Sequence, residues 1–345
     1  MRQPSTAPVW ATTPTTSAGV ARFLRQLGAE SAANVAALDS LATIPAGARG
    51  LPPHDRAMQL LPHNQLARSV WLARLQGVAH ERPNDWFPAW STDLTREACE
   101  RNDAAWGEWL ASLGESDMAR TVRYVSSEGQ AYRNRVDDVL IHVFNHSTYH
   151  RGQLARLVTE CGGLAASTDY EAPAGVAPPP VEGVGSVARF RRQLEAEIWA
   201  DRASLESLAT VPSVSRSLPR FERAMRLLPH NQLARSVWLA RLKQVSHERP
   251  ADWFPSWTAE RTLEACDRND REWGEHLASL ADAEVSRTIR YVTGDGQSHE
   301  IKVEDVLIHV FNHSTYHRGQ LTRLVTVCGG RRASTDYIVF TRVKE

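Results

Sequence analysis

Long apolar runs are missing from this sequence. No stretch approaches the ~18 to 20 consecutive apolar residues that a membrane-spanning helix needs, which excludes a helical span. The first 19 residues, MRQPSTAPVWATTPTTSAG, also lack the charged start and apolar run of a signal peptide, so a cytoplasmic protein is expected. Cysteine is scarce. Four in 345 residues, none in a Cys-x-x-Cys pair, exclude a disulfide framework and a zinc ribbon, and Cys99, Cys161, Cys266 and Cys328 are expected as reduced core thiols. An excess of either charge is absent too: Lys plus Arg equals Asp plus Glu at 40 each, which disfavours nucleic acid and anionic membranes as partners.

What is present is an ordinary globular mixture, 42% apolar and 23% charged, with enough chain for about two domains. Sliding the sequence against itself by 167 positions aligns Val20–Tyr170 with Val187–Tyr337 without a gap. Residues 57–75 differ from 224–242 at one of 19 positions, and 138–154 (DVLIHVFNHSTYHRGQL) match 305–321 at all 17. The expected organisation is a disordered tail over 1–19, a first domain over 20–170, a Pro/Gly-rich linker over 171–186 and a second domain over 187–345.

Within one repeat the apolar period predicts helices over about 20–42, 55–79, 94–113 and 136–160. The first carries Leu24, Leu27, Val35 and Leu38 among its apolar positions, Pro62 should kink or restart the second, Thr95 seeds the third, and Gly162 and Gly163 end the fourth. Residues 120–134 alternate around Ser-Glu-Gly and read as a β-hairpin. The fold class is therefore all-α, two tandem four-helix bundles, each with a small β-hairpin insertion.

Ten of the 13 histidines fall at five positions shared by the repeats: 63, 80, 142, 146 and 150, with 230, 247, 309, 313 and 317. His146 and His150 lie on the stripe set by Val139, Val143, Leu154 and Leu157, and His63 lies on one with Leu66, Ala67 and Val70. Side chains four apart on a helix have Cβ atoms about 5 to 6 Å apart, a spacing at which two imidazoles can converge on one ion. The alternative is core histidines hydrogen-bonded to neighbours. Three inward histidines from two facing helices would form an open His₃ set, the arrangement of a catalytic rather than a closed structural metal site. His63, His146 and His150, repeated as His230, His313 and His317, are the candidate ligands.

His142, about 12 Å along the axis from His150, is assigned to the surroundings of the ligands or to the core, and His309 with it. Gln153 and Gln320 share the ligand face and are candidates to bond a ligand imidazole. His80 reads as an exposed helix end, and Gly152 and Gly319 as points of close helix packing. Tyr149 and Tyr316 either steer substrate or fill a helix seam, and tryptophans such as Trp86, Trp90 and Trp106 read as anchors of core and loops.

The segments HNQLARSVWLARL from His63 and HVFNHSTYHRGQL from His142 resemble the DinB/YfiT-like family of metal-binding four-helix bundles, over nearly the whole of each repeat. The resemblance implies a triad at His63, His146 and His150, and again at His230, His313 and His317. The second copy keeps the family's helix-one Trp-Ala-Asp element at Trp199, Ala200 and Asp201, whereas the first departs with Ala32, Ala33 and Asn34. The cofactor expected is a divalent transition metal (zinc, nickel, iron or manganese), about one per domain. Members of that family include thiol S-transferases and isomerases, so the resemblance implies a metal-dependent transferase joining a low-molecular-weight thiol to an electrophile. A hydrolase using bound hydroxide, and a metal-binding stress or scaffold protein without turnover, stay open as alternatives. No catalytic residue is assigned, and no inward Asp or Glu beside the triad is evident from the pattern. Because single-domain relatives often pair, the two copies are expected to form an intramolecular pseudo-dimer in a monomeric chain, the linker reaching about 20 to 24 Å.

Overall fold

The computed structural model describes residues 17–126, 128–168, 170, 186–293 and 296–345. The tail expected over 1–19 and the linker over 171–186 lie outside these, save that Ala18 opens the first helix and Ser186 the first of the second half. The first half runs α1 (Ala18–Ala42), α2 (Pro52–Gln76), α3 (Thr92–Ala111), a single turn α4 (Glu115–Met118), the hairpin β1 (Thr121–Val125) and β2 (Ala131–Arg135), and α5 (Val136–Glu160). The second repeats it as α6 (Ser186–Ala209), α7 (Pro219–Leu242), α8 (Ala259–Ser279), β3 (Thr288–Val292), β4 (Ser298–Lys302) and α9 (Val303–Val327), then adds α10 (Tyr337–Thr341) and β5 (Val343–Lys344). Two all-α bundles with small hairpins are the architecture that the apolar period predicts.

Local chemistry corrects several element bounds. Helix α3 starts at Thr92, not near 94, because the Ser91 hydroxyl accepts from Leu94 N at 3.2 Å; Thr95 is one turn inside, donating to the Ser91 carbonyl. Pro52 opens α2 where a missing N–H costs nothing. Pro62 is accommodated inside α2 and does not restart it. The same helix stops at Gln76, short of the expected 79, because Gly77 takes the left-handed conformation at φ 69°. Of the apolar positions named on α1, Leu24, Leu27 and Leu38 are buried and Val35 is 43% exposed.

Each bundle has its apolar core in two pieces. In the first half one surrounds Trp71, Trp106 and Leu140 near the hairpin, and the other surrounds Leu38, Leu61 and Leu157 at the opposite end. A layer of buried polar side chains separates them. There Arg151 meets Glu30 at 2.6 Å and Arg68 meets Asp103 at 2.7 Å, while Asn102 donates to Gln65. The second half repeats the layer with Arg318–Glu197 at 2.6 Å and Arg235–Asp270 at 3.0 Å. A buried charge is costly unless paired, so Arg151 and Arg318 tie α5 to α1 and α9 to α6, and Arg68 and Arg235 tie α2 to α3 and α7 to α8.

The halves pack on each other through α5 and α9. A Cβ at Gly152 would overlap the Tyr316 carbonyl, and one at Gly319 the Tyr149 carbonyl, so the two backbones touch where only glycine fits. Each half also sends a chain segment across. The Tyr337 hydroxyl donates to Asp138 at 3.0 Å and that of Tyr170 to Asp305 at 2.9 Å. β5 pairs antiparallel with β2, Tyr132 opposite Lys344, so the first hairpin becomes a three-stranded sheet, while among the described residues β3–β4 has two strands.

Gly152→Ala is expected to cost about 1 to 3 kcal/mol or more, because the new methyl meets backbone rather than a movable side chain. Gly319→Ala should cost the same. Urea unfolding of both variants checks it; midpoints equal to that of the parent chain would show that the helices do not cross this closely.

Candidate metal centre

Helix α2 brings His63, and α5 brings His146 and His150, to one point in the polar layer. His63 Nε2 and His146 Nε2 are 3.3 Å apart, and one ring nitrogen from each of the three histidines lies within 4.8 Å of the others. His230, His313 and His317 converge in the same way, with His230 Nε2 3.1 Å from His313 Nε2. The i, i+4 spacing stacks two rings on one helix face, and the α2 histidine completes a set of three. A loop aromatic closes each group from outside: Phe87 stacks on His63 at 4.1 Å between centroids and Phe254 on His230 at 4.0 Å.

Hydrogen bonds fix which nitrogen faces inward. His63 Nδ1 lies 2.8 Å from the Trp86 carbonyl and His150 Nδ1 3.0 Å from Gln153 Oε1, both acceptors, so these Nδ1 atoms carry the protons. The second half has the Trp253 carbonyl 2.8 Å from His230 Nδ1 and Gln320 Oε1 3.2 Å from His317 Nδ1. The Nε2 atoms of His63 and His150, and of His230 and His317, are therefore free to donate a lone pair, and Nε2 of His146 and of His313 lies 3.3 and 3.1 Å from that of His63 and of His230, respectively. Burial keeps the rings neutral, taking His63 down to about 4 and His146 and His317 to about 3; His150, His230 and His313 are lowered for the same reason. Three neutral imidazoles with a ring nitrogen each within 4.8 Å of the others are a donor set that fits a divalent transition ion with open positions for another ligand.

His142 does not join the triad; its Nδ1 lies 2.6 Å from Asp336 Oδ1. His309 Nδ1 is 3.0 Å from the Tyr170 carbonyl. His80 and His247 are exposed, beyond the ends of α2 and α7. Tyr149 is half-buried and Tyr316 buried at the α5–α9 seam. Trp106 is core, Trp86 supplies its carbonyl to His63, and Trp199 packs on Phe340 at 5.7 Å. All four cysteines are free and buried, as expected, and burial pushes the Cys99 thiol up to about 12.

The first triad opens into a cavity of about 360 Å³ whose far wall comes from the second half, including Glu197, Arg318 and the segment Arg332–Tyr337. A carboxylate that the helical pattern does not reveal is thus present: Asp336. Burial pushes this carboxyl up, but the His142 and His146 rings and the hydrogen bond with His142 outweigh it and hold it at about 2. The signal available in the sequence was the Ser-Thr-Asp-Tyr run shared by 167–170 and 334–337, which lies outside every helix expected to carry a ligand.

Protein prepared without a His tag and loaded with metal is expected to hold about two ions per chain. His146→Ala should empty the first site and spare the second, whereas His80→Ala should leave both filled. Metal analysis of the three proteins reads the outcome, and equal losses in the two variants would refute the ligand assignment.

Among the described residues no helix is long and apolar enough to cross a membrane. Comparison with curated proteins and with solved structures finds no match. The sequence profile of the DinB family matches twice, over residues 31–180 and 194–345, and each matched region carries one histidine triad. The chain belongs to the DinB family, as two tandem copies.

Proposed function

We propose that the protein is a metal-dependent transferase that joins a low-molecular-weight thiol to an electrophile, with His63, His146 and His150 holding one divalent ion and His230, His313 and His317 another. The observation that carries this reading is the convergence of three neutral imidazoles on the wall of a cavity large enough for a small molecule. His63, His146 and His150 would hold a divalent ion whose Lewis acidity, once bound, would lower the pKa of a thiol and so supply a nucleophile at neutral pH. The chain's residues do the rest. The Trp86 carbonyl and Gln153 keep the ring nitrogens aimed, Phe87 covers His63 from solvent, and Tyr149 and Asp336 border the space where the electrophile would lie. The buried cysteines, their thiols raised by burial, offer no competing nucleophile.

One observation favours the hydrolytic reading as the rival: the Asp336 carboxylate, hydrogen-bonded to His142, lines the same cavity and offers an acceptor for a water molecule there. The test incubates the metal-loaded chain with a chromogenic electrophile and, separately, glutathione, cysteine, mycothiol and bacillithiol. Conjugation with at least one thiol is expected, falling about 100-fold or more in the His146→Ala/His313→Ala double variant. Hydrolysis of an ester or amide panel without conjugation, weakened by Asp336→Asn, would replace the transferase by the hydrolase. Inactivity in both assays would leave a metal-binding protein without turnover.

We further propose that the domains 20–170 and 187–345 act as a pseudo-dimer within a monomeric chain. Gly152 and Gly319 use the surface through which a second copy would pair. Light scattering should give the mass of one chain, 38.5 kDa; twice that mass would overturn it.

A further inference from the structure

The two sites are not equivalent, although their helical sequences nearly are. His146 and His150 are half-buried, whereas His313 and His317 are 9% and 7% exposed. The wall of the first site contains Arg332, and the matching position in the segment from the first half is Ala165. The charged groups that line the first cavity, Glu197, Arg318, Arg332 and Asp336, and those near it pair off unevenly. Glu197 is taken by Arg318 through two contacts of 2.6 Å, Asp336 by His142 at 2.6 Å, and Arg323 reaches Glu160 at 3.2 Å. Among the described residues Arg332 makes no ion pair with a carboxylate, and Arg56 hydrogen-bonds the neutral Gln59.

Arg56 lies 3.9 Å over the ring of Phe87, the side chain that stacks on His63 and borders the cavity. Burial lowers its pKa, and the nearby charges of Arg323 and Arg332 lower it further, as in a cationic cluster short of anions. Three neutral imidazoles leave the charge of a dication uncompensated as well.

We propose that the first-half cavity binds a carboxylate-bearing small molecule, its carboxylate held by Arg332 and Arg56 while its reacting end faces His63, His146 and His150. The second half, with Ala165 in place of the arginine, lacks this preference. The inference rests on reading the triads as metal sites but is independent of thiol chemistry. An Arg-carboxylate contact is charge-assisted, and the aromatic ring beneath Arg56 limits the water that competes for it.

The test uses the full zinc-loaded chain and two hydroxamates that seek the ion by the same head group: succinic monohydroxamate, with a carboxylate arm, and its neutral amide counterpart. Isothermal titration calorimetry should show the acid binding one site per chain about tenfold more tightly than the amide. Arg332→Ala should bring the acid to within about twofold of the amide, while His313→Ala should retain the preference and His146→Ala abolish it. Equal affinities in the parent chain, binding by neither probe, or a preference that survives Arg332→Ala would overturn the proposal. A chain that shows the preference yet conjugates no thiol refutes the transferase reading alone.

Discussion

The backbone contact between α5 and α9 is the constraint from which the remaining geometry follows. Gly152 meets the Tyr316 carbonyl and Gly319 the Tyr149 carbonyl, and each glycine lies two residues after the last histidine of its own triad. Helices that close cannot be separated by side chains, so α5 is held against the other half by a face other than the one that carries His146 and His150, and the second half reaches the space beside those histidines. The cavity of the first site is therefore a space between halves, with His63, His146 and His150 on one wall and Glu197, Arg318 and Asp336 on the other. A bundle isolated from its neighbour would keep the histidines and lose the opposite wall.

The polar layer in each bundle lies beside that contact, Arg151 and Arg318 each preceding one of the two glycines in the chain. Arg151 bonded to Glu30, and Arg318 to Glu197, are buried pairs whose value is less in net stability than in the helix placement they specify. The triads sit in the same layer because the apolar core is interrupted there. Backbone carbonyls of Trp86 and Trp253 reach into it and fix the tautomers of His63 and His230, so a loop without regular structure determines which nitrogens are free to bind an ion.

Duplication also allows the halves to diverge where a symmetric dimer could not. Residues 138–154 and 305–321 are identical, yet Asn312 is drawn into a 2.8 Å hydrogen bond from Thr148 and its neighbours His313 and His317 are buried, while His146 and His150 are more open. The C-terminal segment carrying α10 and β5 continues past the end of the repeat and docks on the first half, where β5 extends the hairpin. The environment of one triad thus differs from that of the other without a change in any of the six histidines.

The sequence by itself determined the number of repeats, the helices and the six candidate ligands. These are encoded locally, in a 3.6-residue apolar period, in glycine and proline stops, and in imidazoles one turn apart on a buried stripe. It placed the start of α3 two residues late because the Ser91 hydroxyl caps the helix ahead of Thr95, and the apolar period alone did not say which of its positions are buried, Val35 being exposed where Leu38 is buried. Only the tertiary structure decided what surrounds the histidines. Asp336 is 190 positions from His146 in the chain and Arg332 is 269 from His63, so no helical period connects them. They meet because two helices touch at glycine, a contact that depends on both halves being folded together.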